Sequence, residues 1–152
     1  MGLDMYLTAD RYLWEFQEED KKNSEVVGKI FPELSENMRV KEITAEILYW
    51  RKANAIHKWF VDNVQDGVDE CQKSYVTQEN LQNLLETCKA VLASPNQAET
   101  LLPSQSGFFF GGTEYDLWYT KNIEKTVEVL ENIVPRMETD FRQWTFYYQT
   151  SW

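Results

Sequence analysis

Apolar and polar positions alternate at both ends of the chain and fall at helical spacing through much of its middle. Leu3, Met5 and Leu7 alternate with Asp4, Tyr6 and Thr8, the period-two pattern of a strand with one buried face. The last nine residues repeat it, with Trp144, Phe146, Tyr148, Thr150 and Trp152 on one side and Thr145, Tyr147, Gln149 and Ser151 on the other. Residues 9–40 are charged and weakly periodic, with Glu15, Glu18, Glu19 and Asp20 ahead of a break at Pro32, and read as a short helix and a mobile loop.

Three further helices are expected. One starts at Thr44, with Ile47, Trp50, Val61 and Val64 on one side and Ile56, Trp59 and Phe60 on a second, and stops at Gly67. Apolar on more than one side, it is predicted to be central. Thr77 caps the next, whose Leu81, Leu84, Leu85, Cys88 and Leu92 keep three-and-four spacing until Ser94-Pro95. Thr120 caps the last, with Ile123, Val127, Leu130 and Val134 inward and a stop or kink at Pro135. Between these two, a polar loop to Pro103 leads into Ser104–Tyr119, which reads as strand and turn with room for a second strand. The expected fold is α+β, a single domain over 1–152, with three or four helices packed on a small sheet of N-terminal, central and C-terminal strands.

With 152 residues the chain has room for one real core and is too short for two. Fifteen Lys and Arg against 25 Asp and Glu leave a net charge of -10, which opposes binding to phosphate backbones and anionic lipid. Direct nucleic-acid binding is therefore disfavoured. The same charge suits docking onto a basic surface, or plain solubility. Cys71 and Cys88 have no C-x-x-C spacing and read as reduced thiols. The start lacks a basic and apolar leader pattern, and no run approaches the ~18 apolar residues of a membrane span, so a cytoplasmic, membrane-free protein is expected.

Two segments concentrate the candidate chemistry. On a helix, Arg51, Asn54 and Lys58 share one side with His57 adjacent, and together they would hold a phosphate or carboxylate, with Trp50 or Trp59 offering a flat face to a base or sugar. The alternative is a solvated basic edge with His57 bonded to a backbone carbonyl. In the second segment, Gly107, Gly111 and Gly112 permit positive φ and close approach of backbone amides, and Ser104, Ser106 and Thr113 add hydroxyls, as in an anion-binding loop. It matches neither G-x-x-x-x-G-K-[ST] nor G-x-G-x-x-G, and a buried strand running into a tight turn is the competing account. The expected ligand set is thus Trp50, Arg51, Asn54, His57, Lys58, Ser106, Gly107, Gly111, Gly112 and Thr113.

Glu114 and Asp116, two apart, would share one face of a strand as acid-base candidates, and with His57 and Asp4 would form a hydrolytic site if the fold joins them. No H-x-x-x-H, D-x-D or G-x-S-x-G element is present, so no metal or cofactor is expected and catalysis is the lesser reading. Tyr147, Tyr148 and Trp152 would stack on a ligand, extend the sheet across a homodimer or higher homo-oligomer, or fill the core.

The strings Met1-Gly2-Leu3-Asp4-Met5-Tyr6-Leu7, Tyr49-Trp50-Arg51-Lys52-Ala53-Asn54 with Ile56-His57-Lys58-Trp59-Phe60, Gln105-Ser106-Gly107-Phe108-Phe109-Phe110-Gly111 and Phe146-Tyr147-Tyr148-Gln149 resemble a family of small uncharacterised proteins of bacteriophages and prophages. The resemblance spans most of the chain outside residues 9–40 and carries no assigned chemistry. It implies the cytoplasm of a host bacterium and an accessory protein acting on the host, including against its immunity. Two stoichiometric routes are then expected: sequestration of a small phosphorylated nucleotide by the two segments, or an acidic surface occupying the nucleic-acid channel of a host defence nuclease. A small hydrolase using His57, Glu114 and Asp116 is the third.

Overall fold

In the computed structural model, which describes residues 2–152, a four-stranded sheet is covered on one face by helices. The N-terminal alternation forms β1 (Asp4–Tyr12), which runs between β2 (Glu42–Arg51) and β4 (Thr145–Ser151); β3 (Ser74–Val76) lies outside β4. All three pairings are antiparallel. Met5, Leu7 and Ala9 of β1 point into the core with Leu48 and Trp50 of β2 and Phe146 and Tyr148 of β4. The register steps from Leu7↔Leu48 to Thr8↔Glu46, which leaves Ile47 as a bulged extra residue. That bulge restores the phase of β2, so Glu42, Thr44 and Glu46 before it and Tyr49 and Arg51 after it all face away from the helices.

The helix expected from Thr44 to Val64 is a correction: its first half is β2, and a helix, α2, occupies only Asn54–Asn63. Ile47 and Trp50 satisfy helical spacing, yet Ile43, Ala45 and Ile47 also alternate with Glu42, Thr44 and Glu46, and β-branched and aromatic residues favour the pleated surface. The chain turns between the two at Lys52, held at φ 55° with its amide donating to the Leu3 carbonyl at 2.7 Å. Ser104–Tyr119 contains no strand either; up to Asp116 it is a loop with a turn closed by Phe110 N–H to Gly107 O at 3.1 Å, and its last three residues begin a helix. The strands that come from the middle of the sequence are β2 and the short β3 instead, and they form the two edges of the sheet.

Residues 9–40 hold the expected helix, α1 (Glu18–Ile30), after a β1 longer than predicted. Asp20 anchors it, accepting from the Arg11 guanidinium at 2.6 Å and from the Trp14 amide at 3.1 Å, and these two donors hold its carboxyl below the ordinary aspartate value. Ser24 Oγ donates to the Val40 carbonyl at 2.6 Å, tying the returning chain to α1.

The helix capped by Thr77 is α3 (Gln78–Ala93), with a reciprocal Thr77–Asn80 capping box. A single short turn, α4 (Ala98–Leu101), precedes α5 (Leu117–Ile133), whose cap is Asp116 rather than Thr120: the Asp116 carboxylate accepts from the Tyr119 amide at 3.0 Å. Leu81, Leu84, Leu85 and Cys88 of α3 join Ile123 and Leu130 of α5 in the core, each large side chain contributing about 1.5–3 kcal/mol by leaving water. Phe60 of α2 stacks flat on Tyr148, 3.8 Å between centroids, with the Trp50 ring tilted against it. Trp50 Nε1–H donates to Thr126 Oγ1 of α5 at 2.8 Å, so the polar edge of this buried ring is satisfied.

Candidate functional site

The turn at Lys52 decides the fate of the expected cationic ridge. Because Arg51 ends a strand and Asn54 starts a helix, the residues meant to share one helical face are dispersed. Trp50 is buried in the core, Arg51 is exposed at the far end of the open sheet face, and Lys58 pairs with Asp62 one turn on. His57 is fully buried. Its Nε2 lies 2.9 Å from Asp69 Oδ2 and its Nδ1 lies 2.8 Å from the Tyr148 hydroxyl. Since a carboxylate only accepts, the ring donates through Nε2 to Asp69, and its Nδ1 pairs with the Tyr148 hydroxyl. Burial raises the Tyr148 phenol well above its usual value and keeps that proton in place. Asp69 also accepts from the Trp152 indole at 3.2 Å, so the expected ligand-binding histidine is a buried brace between α2, β4 and the 69–71 loop.

The glycine segment does reach α2, as a cover rather than as a cradle. Asn54, 4% exposed, donates through Nδ2 to the Phe110 carbonyl at 3.0 Å and the Gly112 carbonyl at 2.8 Å, and its Oδ1 accepts from the Gln105 amide at 3.0 Å. All of its amide capacity but one lone pair is thereby engaged with the loop. Leu3 N–H donates to the Phe109 carbonyl at 3.0 Å, and the Phe110 ring closes edge-on over His57 at 5.1 Å. Gly111, at φ 84°, makes the one left-handed bend here, and a Cβ on it would come within 3.1 Å of the Lys52 side chain. Ser106, Gly107 and Thr113 are exposed around this bend, outside the cavity described next.

Where loop, α2 and α5 converge, a cavity of about 140 Å³ remains. Lys52, Gly112, Glu114 and Asp116 line it, and Ile56 and Ile123 add apolar lining. Trp118, 56% exposed, stands at its edge. The first turn of α2, Asn54–Ile56, also lines it, and this helix starts at Ala53 with no side-chain cap, so its unpaired amides carry the positive end of the helix dipole there.

Of the residues singled out from the sequence, then, Asn54, Ser104, Gly112, Glu114 and Asp116 line the cavity, whereas Trp50, Arg51, His57, Lys58, Ser106, Gly107, Gly111 and Thr113 do not. The hydrolytic constellation is not assembled. Asp4 accepts from the Tyr49 hydroxyl on the opposite face of the sheet, His57 is sealed, and Glu114 and Asp116 sit on a loop, the latter holding the start of α5. Lys52, Trp118 and Asn122 were missed because their positions depend on the helix break at 52 and on α5 starting at Leu117, not Thr120; the spacing of Trp118, Asn122 and Ile123 along that extra turn was the available signal.

Fold and cavity together define a small α+β domain with a mixed-charge cleft between its second and fifth helices. Comparison with protein-family models, curated proteins and solved structures returns no match. Among the described residues no helix is long and apolar enough to cross a membrane.

Proposed function

We propose that this protein binds and sequesters a small phosphorylated nucleotide without turnover, in the cleft between α2, α5 and the 112–116 loop. The observation that carries this reading is the mixed lining of the cleft: Lys52 and the uncapped start of α2, the carboxylates of Glu114 and Asp116, and the exposed Trp118 ring. The cationic groups accept a phosphate. The carboxylates accept from sugar hydroxyls, which inorganic phosphate lacks, and the indole gives the base a stacking face. At about 140 Å³ the cleft is smaller than the roughly 300–1,000 Å³ of drug-sized sites, so phosphate and sugar enter while the base stays at the rim on Trp118. His57, held by Asp69 and Tyr148 outside the cleft, does not serve there as a general base. In the phage setting implied by the sequence resemblance, the ligand is a host immune signal.

Calorimetry against cyclic dinucleotides and ADP-ribose derivatives tests this, and binding by at least one of them is expected. Lys52→Gly is the informative variant, because a left-handed φ suits glycine: it should melt no lower than wild type yet bind at least about tenfold more weakly. Ligand recovered after denaturation should be chemically intact. Absence of heat from every phosphorylated probe at about 100 μM removes the proposal.

A further inference from the structure

The helices cover one face of the sheet, and the other carries a patterned surface that the cleft does not use. Cross-strand register places Tyr6 opposite Tyr49 and Gln149, Thr8 opposite Glu46 and Tyr147, and Tyr75 opposite Tyr147, so four tyrosines from all four strands share this face. Tyr6 and Tyr49 meet at 5.4 Å between centroids, Tyr75 and Tyr147 at 6.4 Å, and Tyr75 is 61% exposed. Between and beside them stand the carboxylates of Asp4, Asp10, Glu42 and Glu46, against which the same face sets Arg51 and Lys73. The chain as a whole carries -10.

We infer that this open face is a docking surface for a cationic segment, rich in arginine or lysine, of another protein. The chain's own Lys73 shows the mode of recognition: its ammonium lies 2.5 Å from Asp10 and 4.3 Å above the Tyr147 ring, a carboxylate on one side and an aromatic face on the other. Tyr6 and Tyr49 likewise stand beside the Asp4 carboxylate, which accepts from the Tyr49 hydroxyl, and Glu46 lies across Thr8 from Tyr147 on the same face. Tyrosine also supplies contact area at low entropic cost, as interface residues do. A single-stranded nucleic acid would find the rings to stack on but would meet these carboxylates with its phosphates, and a second copy of the chain would bring the same negative charge to the contact.

The test uses the full chain and a fluorescent nona-arginine peptide at low salt, with oligo-dT as the competing class. Glu42→Lys with Glu46→Lys should weaken peptide binding about tenfold or more, while Glu124→Lys with Glu128→Lys, the same charge change on the exposed side of α5, should weaken it less than about threefold. Tyr75→Ala, which leaves the charge untouched, should weaken it roughly two- to fivefold. Equal losses from the two charge-reversed pairs, no loss from Tyr75→Ala in a protein with native circular dichroism, or no peptide binding at all would overturn the assignment. So would oligo-dT binding that Tyr75→Ala abolishes. None of these residues borders the cleft, so the outcome is independent of whether a nucleotide binds there.

Discussion

Replacing Asn54 by alanine removes the side chain that fastens the 105–112 loop to the first turn of α2. Three backbone groups lose a partner at once: the carbonyls of Phe110 and Gly112 and the amide of Gln105, at 3.0, 2.8 and 3.0 Å from the Asn54 amide. A buried group left unpaired costs about 1–3 kcal/mol, and because this loop is partly open to water the lower end applies to each, giving about 3 kcal/mol in all. For a chain of this length that corresponds to a melting point lowered by roughly 6–12 °C. Thermal denaturation followed by circular dichroism measures the loss, and amide exchange at Gln105 localises it. Asn54→Asp separates this role from an ordinary helix-start effect. Aspartate suits the first turn of a helix and would keep the bond from Gln105, but it has no N–H for the two carbonyls and sets negative charge against them. It should therefore be nearly as unstable as the alanine variant. Wild-type stability for Asn54→Asp, or an alanine cost below about 1 kcal/mol, would refute the loop-fastening argument.

Three shorter predictions test other parts of the same framework. A Cβ on Gly107 would lie 2.7 Å from the Phe110 ring, so Gly107→Ala should cost about 1–3 kcal/mol, lower the melting point and, by displacing Phe110, change the fluorescence of Trp152 in contact with it; an unaltered melting point would count against this packing. Burial pushes the Cys88 thiol up to about 12 while Cys71 is partly exposed, so a thiol reagent at pH 8 should label Cys71 alone until denaturant is added; prompt modification of Cys88 in the native protein contradicts its place in the core. Asp20 has a folded-state value below its ordinary 3.8, so its contribution is present above that value and disappears as pH falls through the lower one. The melting-point gap between wild type and Asp20→Asn should accordingly be constant at neutral pH and narrow as pH falls below 3.8, whereas a gap that does not change with pH would deny the Arg11–Asp20 bond its role.

How far the chain could be read on its own varied from segment to segment with one physical condition. Where the pattern was local and unambiguous, it sufficed: the alternation at Leu3–Leu7 and Phe146–Thr150, and the leucine spacing after Thr77, are β1, β4 and α3. Each of these elements buries one face, and a periodicity of two or of three and four is the imprint of that burial. Residues 42–64 met both periodicities at once, and sequence could not choose between one long helix and a strand turning into a short one. The choice was made by β1, whose open edge satisfies the β2 backbone, and by Leu3, whose carbonyl holds the turn at Lys52.

The cleft followed the same rule. Both segments rich in special residues do converge on the start of α2, but which of their side chains face the cavity depends on a single break in the chain at residue 52. Composition put histidine, asparagine and glycines together as if for a ligand. Tertiary contacts gave His57 to Asp69 and Tyr148, and Asn54 to the loop, because a polar group removed from water takes the nearest partner that satisfies it. Period, charge and chain length are properties of neighbours along the sequence and were legible there. Which face of an element is sealed and which is left open is settled only when distant strands and loops arrive to cover it, and that belongs to the folded molecule.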